Sequence, residues 1–420
     1  MAACSGGSTS QMLPSNGQSA MPESMHPAGA HPYVPVCGRA PAGFSRCLAL
    51  VRTDVGGAPN GYHGLFPDKK GHTTPSGYGP ATLDKAYNLN TSGGSGQTVA
   101  LVEVGDYPSA QADLNTYRSQ YGLSACGSGC FKKVSQTGST KLPRENAGWA
   151  QESALDMDMV SAVCPNCHIL MVEANSASNS NLAAAVNEAA KLGATEISNS
   201  YGGAESGSSN SAYSHSGIVI TASAGDDGYY DGTSGPSAEQ PCTYASVVCT
   251  GGSSLATASN TRGFTETVWN DLASGNGATG SGCSKYVAKP SWQTDKGCTK
   301  RSETDVSWDG DPLTGVAVYD STSYGGYSGW MVFGGTSVAA PAIAAVYALA
   351  GNGSSLGPNA AQGFWANSGA GLNAVTSGNN IGSGQSCATA IKYICTAGTG
   401  TDGNYSGPTG WGTPNGSSAF

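Results

Sequence analysis

The sequence predicts an α/β fold with a mostly parallel central sheet and helices on both faces. Three observations carry this. Short apolar runs suited to buried strands alternate with stretches of helical period, which is the signature of βαβ units. The chain has 420 residues, of which 38% are hydrophobic, enough for a sizeable core. The acidic and hydroxyl residues worth a chemical reading fall where strands end, the usual place for a site in an open α/β sheet.

The elements follow in order. Residues 1–35 are rich in Ser, Gly, Pro, Ala and Met without periodicity and read as a disordered leader or tether. Residues 36–77 hold one cysteine pair and many turn formers and read as a small N-terminal extension. The main domain is expected over 78–420. Within it, Pro80 to Asn88 is a short helical stretch, and Gly96 to Val104 is a buried-strand run ending at Gly105-Asp106. Ser109 to Tyr121 reads as a helix with a serine cap. Trp149 to Val163 is helical, with apolar residues at 155, 159, 160 and 163. Further strands are expected at His168 to Glu173, Glu196 to Tyr201 and Gly217 to Ser223. The Ala-rich helix Asn181 to Leu192 lies between the first two of these. Ala342 to Ala350 is an apolar helix.

Charge is sparse. Only 11% of residues are charged, less than half the roughly 25% usual in soluble domains, and the net charge is −9. No basic patch for nucleic acid is present, and no apolar run approaches the ~20 residues of a membrane span. Low charge suits acidic surroundings, where a cationic surface would otherwise repel itself. There are 13 cysteines. With Cys4 set aside, the others form close sequential pairs: 37/47, 126/130, 164/167, 242/249, 283/298 and 387/395. Disulfides are expected, and with them an oxidising, extracellular or cell-surface location. Cys164-Pro-Asn-Cys167-His168 also matches a zinc or c-type haem string, but no second C-x-x-C partners it. Near the start, Met1-Ala2-Ala3-Cys4 resembles the end of a bacterial lipoprotein signal, so Cys4 is a candidate lipid anchor. The plain alternative is a flexible terminus with a spare thiol.

Three motifs carry chemistry. In Gly334-Gly335-Thr336-Ser337-Val338-Ala339-Ala340-Pro341, Ser337 opens a helix, where free N–H groups favour developing negative charge. A plain serine cap would look similar. In Gln151-Glu152-Ser153-Ala154-Leu155-Asp156, the two acids lie four apart and share a helical face, so they titrate as a pair. An exposed acidic helix start would also read this way. In Gly225-Asp226-Asp227-Gly228, an acidic loop ends a buried strand. Alone it reads as a turn or a metal loop.

Together and in this order the motifs resemble the sedolisins, the serine-carboxyl peptidases of the subtilisin-like clan. The resemblance runs from about Tyr78 to Phe420. It includes Tyr78 to Asn88, Arg301-Ser-Glu-Thr-Asp305-Val306-Ser307 and Asn373 to Asn379. It implies a subtilisin-like fold and a serine-type endopeptidase that hydrolyses proteins or peptides at acidic pH. Ser337 would be the nucleophile, Glu152 its base, Asp156 the partner of that base, and Asp226 the acid that donates to the oxyanion. Asp227 receives no role, because the motif register favours Asp226. A monomer without a required cofactor is expected. The family's calcium site should be degraded, because its two carboxylate positions are Asn373 and Gly412 here. Cys387/Cys395 lies between those segments and is expected to brace them instead. The leader is shorter than the family's usual prosegment.

Rival readings remain open at this stage. They are a non-catalytic surface protein on a peptidase scaffold, an ordinary Ser-His-Asp peptidase using Asp106, and a glycosidase using Glu152 and Asp156. The last leaves Gly-Thr-Ser-x-x-x-Pro without a purpose.

Overall fold

The computed structural model describes residues 32–55, 74–274, 277–400 and 403–420. The leader up to residue 31, with Cys4 and its expected anchor, lies outside the described residues, as do His26, His63 and His72.

In chain order the elements begin with strands β1 (Tyr33–Pro35), β2 (Arg46–Cys47) and β3 (Leu50–Arg52). Then come helix α1 (Pro80–Tyr87), β4 (Thr98–Val104), α2 (Ala110–Gln120), β5 (Phe131–Ser135), α3 (Ala147–Val163) and β6 (His168–Ala174). These are followed by α4 (Asn179–Lys191), β7 (Glu196–Asn199), β8 (Tyr201–Ala204), β9 (Val219–Ser223) and β10 (Glu239–Gln240). Next are β11 (Val248–Thr257), β12 (Phe264–Val268), β13 (Cys283–Ala288), β14 (Lys300–Ser302) and β15 (Val306–Asp309). The chain closes with β16 (Val316–Tyr324), β17 (Tyr327–Gly334), α5 (Thr336–Ala350), two short helices, β18 (Leu372–Asn373) and β19 (Thr413–Pro414).

The central sheet runs β12-β11-β9-β7-β4-β6-β5, with β15 also on β11. Every pairing in it is parallel except β11 with β12. Strand β4, Thr-Val-Ala-Leu-Val-Glu-Val, is buried at six of its seven positions, as a strand covered on both faces must be. Helix α3 is buried from Gly148 to Val163, on all sides. Its amino end is held by Asn146, whose side chain accepts from the Trp149 N–H at 3.4 Å. No helix among the described residues is long and apolar enough to cross a membrane.

The structure departs from expectation at four places. Ser109 precedes α2 but makes no cap bond; its hydroxyl faces that of Thr322 at 3.2 Å. The strand expected over 196–201 breaks at Ser200, which separates β7 in the central sheet from β8 in another sheet. Tyr33–Pro35 is a strand, so it does not belong to a disordered leader. Finally, the first part of the expected extension is woven into the main domain. There β1 pairs with β3, β3 with β17 and β2 with β8, all antiparallel.

The cysteine pairs form as expected: 37–47, 126–130, 164–167, 242–249, 283–298 and 387–395 are disulfides. Cys164 and Cys167 are thereby removed as metal or haem ligands. The expected brace is different in detail. The Asn373 and Thr413 segments pair directly as β18 and β19, while Cys387–Cys395 fastens an intervening loop, with the Asn380 N–H on the Cys395 carbonyl at 3.0 Å.

Candidate active site

Ser337, Glu152, Asp156 and Asp226 converge at the carboxyl ends of β7 and β9, where α5 begins. All four are buried. Gly335 precedes α5 with φ +96°, a conformation that suits glycine. A Cβ there would stand 2.8 Å from Asp226 Oδ2 and press on the Leu48 carbonyl oxygen. The acid pair is wholly buried, not an exposed helix start: Glu152 and Asp156 each have 0% exposure.

Three carboxyls form the acid cluster. Glu103, in β4, was not singled out from the sequence; the signal was an acidic residue inside a continuous apolar strand. Burial raises the pKa of all three. The charges of Asp156 and Glu152 raise Glu103 further, and that of Asp156 raises Glu152 further. Asp156 is the one best furnished with donors. The Ser200 hydroxyl lies 2.8 Å from each of its oxygens, and the neighbouring Glu103 and Glu152 carboxyls also favour its charged form. Neither Glu152 oxygen accepts a full hydrogen bond among the described residues, although the Ser337 hydroxyl and the Ala49 amide favour its charge in part.

The Ser337 hydroxyl rests on the Ser200 carbonyl at 3.2 Å. Pro341 has no N–H, so the Ser337 carbonyl lacks its helical donor four residues on. The Ser200 hydroxyl lies 3.4 Å from that carbonyl. Thus Ser200 stands between the nucleophile candidate and the acid cluster.

Asp226 is asymmetric. Its Oδ1 accepts from the Thr336 N–H at 2.7 Å and the Thr336 hydroxyl at 2.9 Å, while Oδ2 is buried without a partner among the described residues. Burial pushes its pKa up to about 7, against hydrogen bonds from Thr336 and the Arg46 charge.

A stretch of the chain itself crosses the site. The Ser337 N–H donates to the Leu48 carbonyl at 3.1 Å. The Leu48 N–H points at Ser337 Oγ, 3.1 Å, and at the Ser200 carbonyl, 3.3 Å. Before Leu48, Arg46 and Cys47 pair with Gly202 and Tyr201; after it, Leu50 and Val51 pair with Gly334 and Phe333. Nothing in the sequence flagged this.

Among the described residues the ordinary triad is not assembled. Asp106 is paired with Lys133 Nζ at 2.5 Å, and His168 is exposed at the start of β6. The two positions expected for calcium carboxylates offer none. Asn373 donates its side-chain NH₂ to the Pro414 carbonyl at 2.6 Å, and a Cβ on Gly412 would collide with the Asn373 carbonyl, so no larger side chain fits there. The closest acid-and-thiol grouping among the described residues, Cys242, Cys249 and Glu303, has its sulfurs tied in a disulfide.

Residues 144–392 match the subtilase family, Peptidase_S8, over more than half of the chain. Sedolisin from Pseudomonas sp. (strain 101) is 28% identical over 371 residues, 81% of this chain and 60% of that protein. Kumamolisin from Bacillus sp. (strain MN-32) is 30% identical over 313 residues, 68% of this chain and 54% of that protein. The chain therefore spans little more than half the length of these relatives. The structure of Pseudomonas sedolisin, a serine-carboxyl proteinase complexed with pseudo-iodotyrostatin, superposes with a TM-score of 0.66 at 27% identity, covering 81% of this chain and 96% of that one. The chain belongs to the subtilase family, in its sedolisin branch.

Proposed function

We propose that the protein is a serine-type endopeptidase that hydrolyses peptide bonds at acidic pH, with Ser337 as nucleophile, Glu152 as base, Asp156 as partner of the base and Asp226 as oxyanion donor. The observation that carries the reading is the Ser337 N–H on the Leu48 carbonyl, with that carbonyl and the free oxygen of Asp226 both crowding the face of Gly335, beside a buried carboxyl cluster. The Ser337 hydroxyl turns from Ser200 to Glu152 and adds to the carbonyl carbon. Glu152 takes the serine proton as Asp156 takes the proton held between the two acids. The oxyanion is met by the Ser337 N–H and by protonated Asp226. The C–N bond then breaks, the leaving amine takes a proton back from Glu152, and water releases the acyl group from Ser337. Relatives named for the same chemistry support this assignment.

The sign of the pH dependence follows from Asp226. Its donor form exists below a pKa of about 7 and is lost above it. Digestion of a denatured protein, followed from ~pH 2 to ~pH 8, should be confined to the acid side and abolished by Ser337→Ala. Activity centred near the alkaline end, or surviving that substitution, would sink the mechanism. The disulfides further support a location outside the cytoplasm.

A further inference from the structure

Arg46 lies two residues before Leu48, whose carbonyl is seated on the Ser337 N–H. Its guanidinium enters an acidic pocket. Nη2 is 2.6 Å from Asp227 Oδ2 and 4.0 Å from Glu239 Oε1, and Asp231 stands beside Glu239 in the same pocket. The Arg46 side chain is 11% exposed and that of Glu239 4%. The other Glu239 oxygen is buried without a hydrogen-bond partner among the described residues. The wall opposite is Gly202-Gly203. A Cβ on Gly202 would collide with the Glu239 carboxyl, and one on Gly203 would stand 2.6 Å from the Phe44 carbonyl. Two glycines therefore leave room for a strand to lie against β8 and for its side chain to reach the acids. Arg39 also reaches Asp227, at 3.2 Å, but is mostly exposed.

Resting on the peptidase reading above, we propose that Arg46 to Ala49 occupies the site as a substrate does. The Leu48–Ala49 bond is then presented to Ser337, and the pocket of Asp227, Asp231 and Glu239 selects a basic side chain at the third residue on the acyl side of the cleaved bond. The antiparallel pairing of residues 46–47 with β8 and of residues 50–51 with β17 fixes this register on both sides of Leu48 and Ala49. Cutting forms a Ser337–Leu48 ester and breaks the Leu48–Ala49 C–N bond, with the proton passing through Glu152 to the Ala49 amine. Water then hydrolyses the ester and restores Ser337.

The test uses the full chain at acidic pH, with mass spectrometry of its fragments and digestion of a denatured protein in parallel. The expected result is a fragment beginning at Ala49, absent in Ser337→Ala. Arg46→Ala should slow its formation about tenfold or more, the size expected of a charge-assisted hydrogen bond, while Arg46→Lys restores most of the rate. A measurement independent of the variants' folding compares two peptides that differ only in Arg or Ala at the third acyl-side residue. The Arg peptide should have the higher kcat/KM by a similar factor, and Asp227→Asn or Glu239→Gln should shrink that ratio. If the denatured protein is digested but the chain is left intact or cut elsewhere, or the two peptides are cut alike, the proposal is overturned and the peptidase reading stands. If nothing is digested at any pH, both fall.

Discussion

Asp226 has one oxygen saturated by Thr336 and one bare, and that asymmetry makes a sharp prediction. In Asp226→Asn the amide oxygen can keep the Thr336 bonds while the NH₂ donates at any pH. Its alkaline limb should move above the ~7 set by the acid, whereas Asp226→Ala should lower kcat by about 10²–10³ across the profile. The pH dependence of kcat for both variants checks this, and an unmoved limb in Asp226→Asn would remove Asp226 from the oxyanion role. The Arg301–Asp305 pair is wholly buried, 2.5 Å apart, with Asp305 also accepting from the Cys249 N–H. Arg301→Met leaves that carboxyl without its cation and should cost about 3–5 kcal/mol in urea unfolding. At this scale Ser337, Glu152, Asp156 and Asp226 were legible, because each stands in a short motif. Glu103 and Leu48 were not. One is a lone acid in an apolar strand, and the other meets Ser337 only across a sequence separation of 289.

Helix α3 delivers Glu152 and Asp156 one turn apart, so its entry angle sets where both carboxyls point. Asn146 fixes that angle through its bond to Trp149. Asn146→Ala should cost about 1 kcal/mol of stability, read as a lowered urea midpoint, and should lower kcat more than it changes KM. A variant with reduced stability and unaltered kcat would show that the cap does not position the acids. Helices α1 to α5 and strands β4, β6, β7 and β9 were legible because period, caps and apolar runs are local signals. The break at Ser200 was not, since it is imposed by β2 and β10, which pair with β8 from distant parts of the chain. Residues 33–52 were misread for a related reason. Their strands are two or three residues long and are held by β8, by β17 and, for β1, by β3, rather than by any periodicity of their own.

The molecule as a whole keeps many carboxyls out of water. Asp226, Glu173, Glu196 and Asp320 have pKa values pushed to about 7 mainly by burial, and Asp84 and Asp311 to about 6. These groups bind protons more tightly folded than unfolded, where carboxyls titrate near 4. Their contribution to stability is full below ~4 and fades as pH rises through ~7, so the melting temperature should fall steadily between those values. A flat or rising profile would contradict the assignment. Calcium or a chelator should leave the melting temperature unchanged, because neither Asn373 nor Gly412 supplies a carboxylate. The segment across Ser337 has one more consequence. It is tied to the rest of the chain on both sides, by β2 on β8 and by β3 on β17. Such an occupant competes with dissolved peptides at an effective concentration that reaches the millimolar range for short tethers. Free peptide then sees only the fraction of molecules whose cleft has opened, and its apparent affinity is weakened by that fraction. The same tether makes the blockade independent of protein concentration, so dilution alone will not relieve it.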